Sequence, residues 1–176
     1  MNFALKSLVA AAAIASIGAA NAASVVTNVG ASNTIAGNSL TLTGGTGTLS
    51  FSSTLIEALN AARTTVVAVP PATVTETSVF DPDLEEDVRV SSTAAAPVSS
   101  VTLDDGTNAV LSVATSGGAL MTAPKNAGVS LGGTLEVTNL TVDLTSQRVY
   151  ASIKGNFTGA ATGVAGTAGG AITTLD

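Results

Sequence analysis

The side chains with the most chemistry to offer lie in one run, FDPDLEEDVR, residues 80–89. It holds Asp81, Asp83, Glu85, Glu86 and Asp87, and carboxylate oxygens at this density suit a hard cation such as Ca²⁺. The run lacks the glycine that folds an EF-hand loop, and Pro82 constrains its backbone. The competing reading is a solvated loop between two strands, whose charges keep sheet edges apart. These five residues are the candidate calcium ligands, and no other cofactor is expected.

The rest of the inventory narrows the chemistry. The chain has no His and no Cys. Histidine-dependent nucleophilic triads, histidine or thiolate metal sites and thiol catalysis are therefore excluded. A paired-carboxylate glycosidase is chemically open. Such an enzyme offers aromatic surface to sugar rings, and here aromatics are 3% with no Trp. The GG and GTG pairs lack the Lys and the strand-to-helix setting of a phosphate loop, so they are turn glycines. The TLT and TGT triplets follow no strict repeat. Asn139-Leu-Thr and Asn156-Phe-Thr are formal glycosylation sequons. A non-enzymatic protein with no catalytic residue is expected.

These residues must be held by the elements around them, and the composition indicates strands. Thr, Ser, Val and Gly are abundant, charge is sparse, and hydrophobic residues reach 45%. That mixture suits pleated, half-buried backbone with a core of small side chains. SLTLTGGTGTLSFS (39–52) predicts two short strands around a Gly-rich turn. TLIEALNAAR (54–63) predicts the one helix, with Thr54 and Glu57 at capping-box spacing and Leu55, Ile56, Leu59 and Ala62 on one side. TTVVAV (64–69) and ATVTETSVF (72–80) predict strands separated by Pro70-Pro71, and AAAP (94–97) a connector.

Residues 98–115 predict a hairpin. Its longer-loop register sets Val101 opposite Val113 and Leu103 opposite Leu111, which keeps one face apolar. GGTLEVTNLTVDLTSQRVYASIKGNF (132–157) predicts another. Its apolar phase slips by one residue near Thr138-Asn139, so a β-bulge is expected there. A loop of Thr145 to Arg148 then pairs Val142 with Ala151 and Leu140 with Ile153, leaving Thr141, Asp143, Tyr150, Ser152 and Lys154 outside. From residue 158 to 176 Gly and Ala dominate, which predicts a flexible tail without a terminal strand.

The N-terminus sets the compartment. Lys6, an apolar run from Leu8 to Ile17, and the A-x-A site Ala20-Asn21-Ala22 form the layout of a secretory signal peptide. The run falls short of the roughly 20 apolar residues of a membrane span. Residues 1–22 are thus expected to be removed, leaving a β-rich domain over 23–157 and the tail. Five basic and twelve acidic side chains remain, a net of −7. Scattered Lys and Arg argue against nucleic acid as a partner, and stable membrane insertion after cleavage is not expected.

MNFALKSLVAAAA, TLSFSSTLIEALNAA, AAAPVSSVTLDD, LSVATSGGALMTAP and GGTLEVTNLTVDLTSQRVYASI, in that order, resemble a family of exported proteobacterial proteins. Its members often carry a C-terminal PEP-CTERM sorting signal. The resemblance covers about residues 1–157 and carries no catalytic motif. It implies a cell-surface or extracellular-matrix setting without an assigned activity. This chain ends at Asp176 without the Pro-Glu-Pro tripeptide, apolar helix and basic residues of that signal. It is therefore expected to be a truncated relative or to be released unsorted. Truncation would leave sheet edges open to association.

Together these features predict an all-β exported domain, an antiparallel β-sandwich or a curled sheet with one short helix. Its expected role is non-catalytic, in the cell envelope or extracellular matrix. The alternative is a secreted or periplasmic binding module for calcium or a glycan.

Overall fold

A computed structural model of the chain describes residues 23–126, 130–158 and 165–172. The leader, residues 1–22, lies outside the described residues. Alternating Val, Thr, Ser and Ala favour pleated backbone, and twelve strands form among the described residues. They are β1 (Ser24–Asn28), β2 (Ser32–Ile35), β3 (Asn38–Thr41), β4 (Thr46–Ser50), β5 (Thr65–Val69), β6 (Thr73–Asp81), β7 (Glu86–Asp104), β8 (Val110–Thr115), β9 (Gly118–Asn126), β10 (Ser130–Asp143), β11 (Arg148–Thr158) and β12 (Ala165–Ile172). One helix, α1 (Ser53–Ala61), stands between β4 and β5. Ten strands share one antiparallel sheet, and β2 and β3 pair by themselves. Among the described residues the fold is all-β, a curled antiparallel sheet with one short helix.

The curl comes from two long strands that change partners midway. From Thr93 to Ala95, β7 lies between β6 and β4, with Thr93 opposite both Thr75 and Ser50. Its second half lies between β8 and β1, with Val101 opposite both Val113 and Thr27. The switch falls at Pro97, which has no N–H to give to a ladder. β10 keeps β11 on one side from Gly133 to Asp143. On its other side it pairs with β9 up to Thr138 and with β8 from Thr141.

The expected connector at 94–97 is therefore the interior of the longest strand. Ser92, Ala94, Ala96 and Val98 alternate as buried residues along β7. Their small size lets the facing wing approach. Ala94 joins Leu59 of α1, Val66 of β5 and Ala119 of β9 in the core cluster, with Phe51, Val74 and Met121 packed against it.

The two wings separate at Ser116-Gly117. β8 continues toward β7, while β9 continues toward β5. Four segments meet here. The Ser116 N–H donates to the Pro97 carbonyl at 3.0 Å, and the Asn139 N–H donates to the Gly117 carbonyl at 3.0 Å. Gly117 has φ +80°, and a Cβ on it would lie 2.6 Å from the Val69 carbonyl oxygen and the Ala72 nitrogen. A Cβ on Gly118 would meet the Val137 carbonyl oxygen and lie 2.8 Å from Thr138 Cα.

The expected bulge at Thr138-Asn139 is present. The register runs from Thr138↔Ser152 to Thr141↔Tyr150, with Asn139 at φ 54°. The loop comes one residue earlier than expected, so Val142 pairs with Val149 rather than Ala151. Thr138 is buried, and Tyr150 and Ser152 are half-buried, so that face is less wet than its polarity implied. In the 98–115 hairpin, Val101↔Val113 holds, but a second irregularity sets Leu103 opposite Val110 rather than Leu111.

The helix begins with Ser52 as N-cap, its Oγ accepting from the Leu55 N–H at 3.3 Å. Thr54 lies inside the first turn, and so the capping box is not formed. Ile56 and Leu59 are the buried residues of α1. The two strands expected as a hairpin over 39–52 go to different partners, β3 to β2 and β4 to β7. Beyond residue 158, β12 pairs along β11 from Thr158↔Ala165 to Ala151↔Ile172. Gly and Ala give that segment little to bury, but its backbone can still complete a ladder. Residues 159–164 and 173–176 of the expected tail lie outside the described residues.

One turn recurs three times. Asp81, Asp104 and Asp143 each end a strand, and each Oδ1 accepts the N–H groups two and three residues on. The acceptor distances are 2.9 and 3.3 Å, 2.9 and 2.8 Å, and 2.8 and 3.1 Å respectively. The residue four after each aspartate, Glu85, Asn108 or Gln147, has positive φ. Hydrogen bonds from the Ser146 N–H and hydroxyl and from the Thr145 N–H hold the Asp143 carboxyl below the usual Asp range. That contribution to stability is complete above the ordinary Asp pKa near 3.9 and is lost as pH falls through the lowered folded value.

Two predictions follow from these contacts. Gly118→Ala should lower the unfolding free energy by at least about 2 kcal/mol, seen as an earlier urea midpoint with unchanged slope. An unchanged midpoint would mean that the backbones do not meet there. Asp143→Asn should flatten the loss of thermal stability below about pH 4 relative to wild type. Superimposable pH profiles would refute this role of the carboxylate.

Candidate functional site

β5 and β6 are joined through Pro70-Pro71 but do not pair with each other. β5 pairs with β9 and β6 with β7. The mouth left between them is a cleft of about 310 Å³, closed on one side by the end of α1. Its polar walls come from Asn60, Arg63, Thr64, Glu76, Glu86 and Arg89, among others.

Arg89 is the side chain that spans this mouth. Its Nε lies 2.6 Å from Glu76 Oε1, and its Nη2 donates to the Thr64 carbonyl at 3.0 Å. The Asn60 amide donates to the Arg89 carbonyl at 2.8 Å. One guanidinium thus ties β6, β7 and the entry to β5, while the helix end holds its backbone. The Arg89 side chain is 13% exposed and that of Glu76 31%. A half-sheltered guanidinium–carboxylate pair is stronger than an open surface pair.

The five candidate calcium ligands do not converge here. Asp81 turns inward on its own loop to accept from Asp83 and Leu84. Glu86 and Asp87 line the cleft, as do Arg63 and Arg89. Asp83 and Glu85 are exposed in the loop and take no part in its wall. No group of three or more acidic side chains placed to hold a metal occurs among the described residues.

Arg89 carries the geometry of the site, yet acid density draws attention away from it. The available signal was a single basic residue closing an acidic run, with Glu76 on the preceding β-rich segment. Asn60 and Thr64 had no such signal, because they enter through backbone contacts.

A second cleft, of about 350 Å³, also borders α1. Leu55, Leu59, Met121, Ala123 and Leu135 make it largely apolar. Among the described residues, no helix is long and apolar enough to cross a membrane. Comparison with family models, curated proteins and solved structures finds no match for this chain.

Arg89→Ala should lower the unfolding free energy by about 2 kcal/mol and should cost less on a Glu76→Gln background. Equal costs on both backgrounds, measured by urea unfolding, would show that the pair does not hold the mouth.

Proposed function

We propose that this chain is a non-catalytic exported protein of the cell envelope or extracellular matrix, acting through its strand surfaces. The leader pattern of residues 1–22 supports export. The non-catalytic part is supported by a chain without His or Cys and by how five of the acidic side chains are employed. Asp81, Asp104 and Asp143 close turns, and Glu76 and Glu136 are paired with Arg89 and Lys154. A general acid or base needs a carboxyl free to exchange its proton with a substrate, and these five are committed to the framework. The resemblance of the leader and strand phrases to exported matrix-associated proteins points the same way.

The test is expression of the full chain in a Gram-negative host, followed by fractionation and N-terminal sequencing. The expected product starts at Ala23 and is recovered outside the inner membrane. An intact leader on a protein confined to the cytoplasm would overturn the reading. A thermal shift with millimolar calcium, abolished by Glu86→Gln and Asp87→Asn, would replace it with the binding-module alternative.

A further inference from the structure

The β6–β7 hairpin extends beyond the wing that holds it. From Thr75 to Phe80 every residue of β6 is exposed, and so are Glu86, Asp87, Val90 and Ser91 of β7. Among the described residues, the stretches 77–81 and 86–91 pair only with each other. This arm carries a concentration of exposed apolar side chains: Phe80 and Leu84 are each 60% exposed, Val79 56% and Val90 52%. The chain has only four Phe. Phe51 packs against the core, whereas Phe80 stands in solvent. In a chain so poor in aromatics, an outward ring amid other apolar groups is the mark of a contact surface.

The charge around that surface defines what fits it. Asp83, Glu85, Glu86 and Asp87 are exposed along the same arm, and none forms an ion pair among the described residues. A second copy of this chain would bring like charge to like charge, since its net charge is −6. An anionic lipid surface would be repelled in the same way. A partner bearing basic groups between apolar ones complements both features.

The ribbon also dictates the partner's form. Val79 is opposite Val88, and Phe80 is opposite Asp87. Successive strand residues point to opposite faces, so Val79 and Val88 stand on one apolar face and Phe80 and Asp87 on the other, mixed face. A compact partner would cover one face. An extended segment laid along an open edge sends alternate side chains to both, while its backbone pairs with the unpaired ladder groups. We propose that the β6–β7 arm docks an extended protein segment in which Lys or Arg alternates with apolar side chains. The inference stands on the arm alone, whichever compartment the chain occupies.

The test uses the full chain and a fluorescently labelled peptide of alternating lysine and valine, followed by anisotropy. Saturable binding is expected, weakening as salt rises. Phe80→Ser should weaken it about tenfold. Changing Asp83, Glu85, Glu86 and Asp87 together to their amides should weaken it about tenfold and remove most of its salt dependence. Phe80 lies outside the core, so circular dichroism of the Phe80→Ser protein should match wild type. Several outcomes would overturn the proposal: no binding, undiminished binding by Phe80→Ser, or equal binding of a glutamate–valine peptide. So would binding to anionic phospholipid vesicles in place of the peptide, or sedimentation showing self-association that Phe80→Ser abolishes.

Discussion

The fold depends on a backbone contact that leaves no space for a side chain. At Gly117 and Gly118 the chain passes against the Pro70-Pro71 connection on one side and the Val137-Thr138 backbone on the other. β8 gives way to β9 at this point, and β10 bulges to change partners beside it. Without that close approach, the wing carrying β5 could not fold back over the wing carrying β6 and β7. The small residues facing inward on β7 follow from the same requirement. Larger side chains at Ala94 and Ala96 would hold the wings apart. The core is thin because the geometry brings the two sheet faces close, and the scarcity of aromatics is the compositional counterpart of that closeness.

Charge in this protein is used mainly for local order. Three aspartates close three turns of one design, and Arg89 bridges strands that have no ladder between them. Each device supplies hydrogen bonds to backbone groups that a sheet would otherwise leave open. The acidic loop divides along the same line. Asp81 belongs to the turn, Glu86 and Asp87 to the cleft wall, and Asp83 and Glu85 to solvent. A run that looks like a single feature in the sequence is thus three environments in the structure.

The residues reveal faces more readily than neighbours. The bulge at Thr138-Asn139 was legible because a period of two cannot absorb a slipped apolar phase without an extra residue. The strand class was legible from β-branched alternation, and the helix from its apolar spacing, although Ser52 rather than Thr54 caps it. Partner exchange was not legible, because a regular alternation such as Ser92, Ala94, Ala96, Val98 is the same whichever strand lies alongside. The AAAP segment resembled a connector for that reason, with Pro97 marking a change of partner instead of an end. The one-residue error in the 132–157 loop arose from the Asp143 turn. Its signal, an aspartate followed four residues later by a residue at positive φ, is clear only when the three examples are set together. The mouth bridged by Arg89 was hidden because it depends on two strands that fail to pair.

β7 and β10 each serve both wings of the curled sheet. Neither wing can peel away without tearing a strand that the other still holds. Such shared spines bind the halves into a single cooperative unit, even though the buried cluster between them is small. A load applied along either strand would be shared among several ladders at once, a useful property in a protein whose interior has few large side chains.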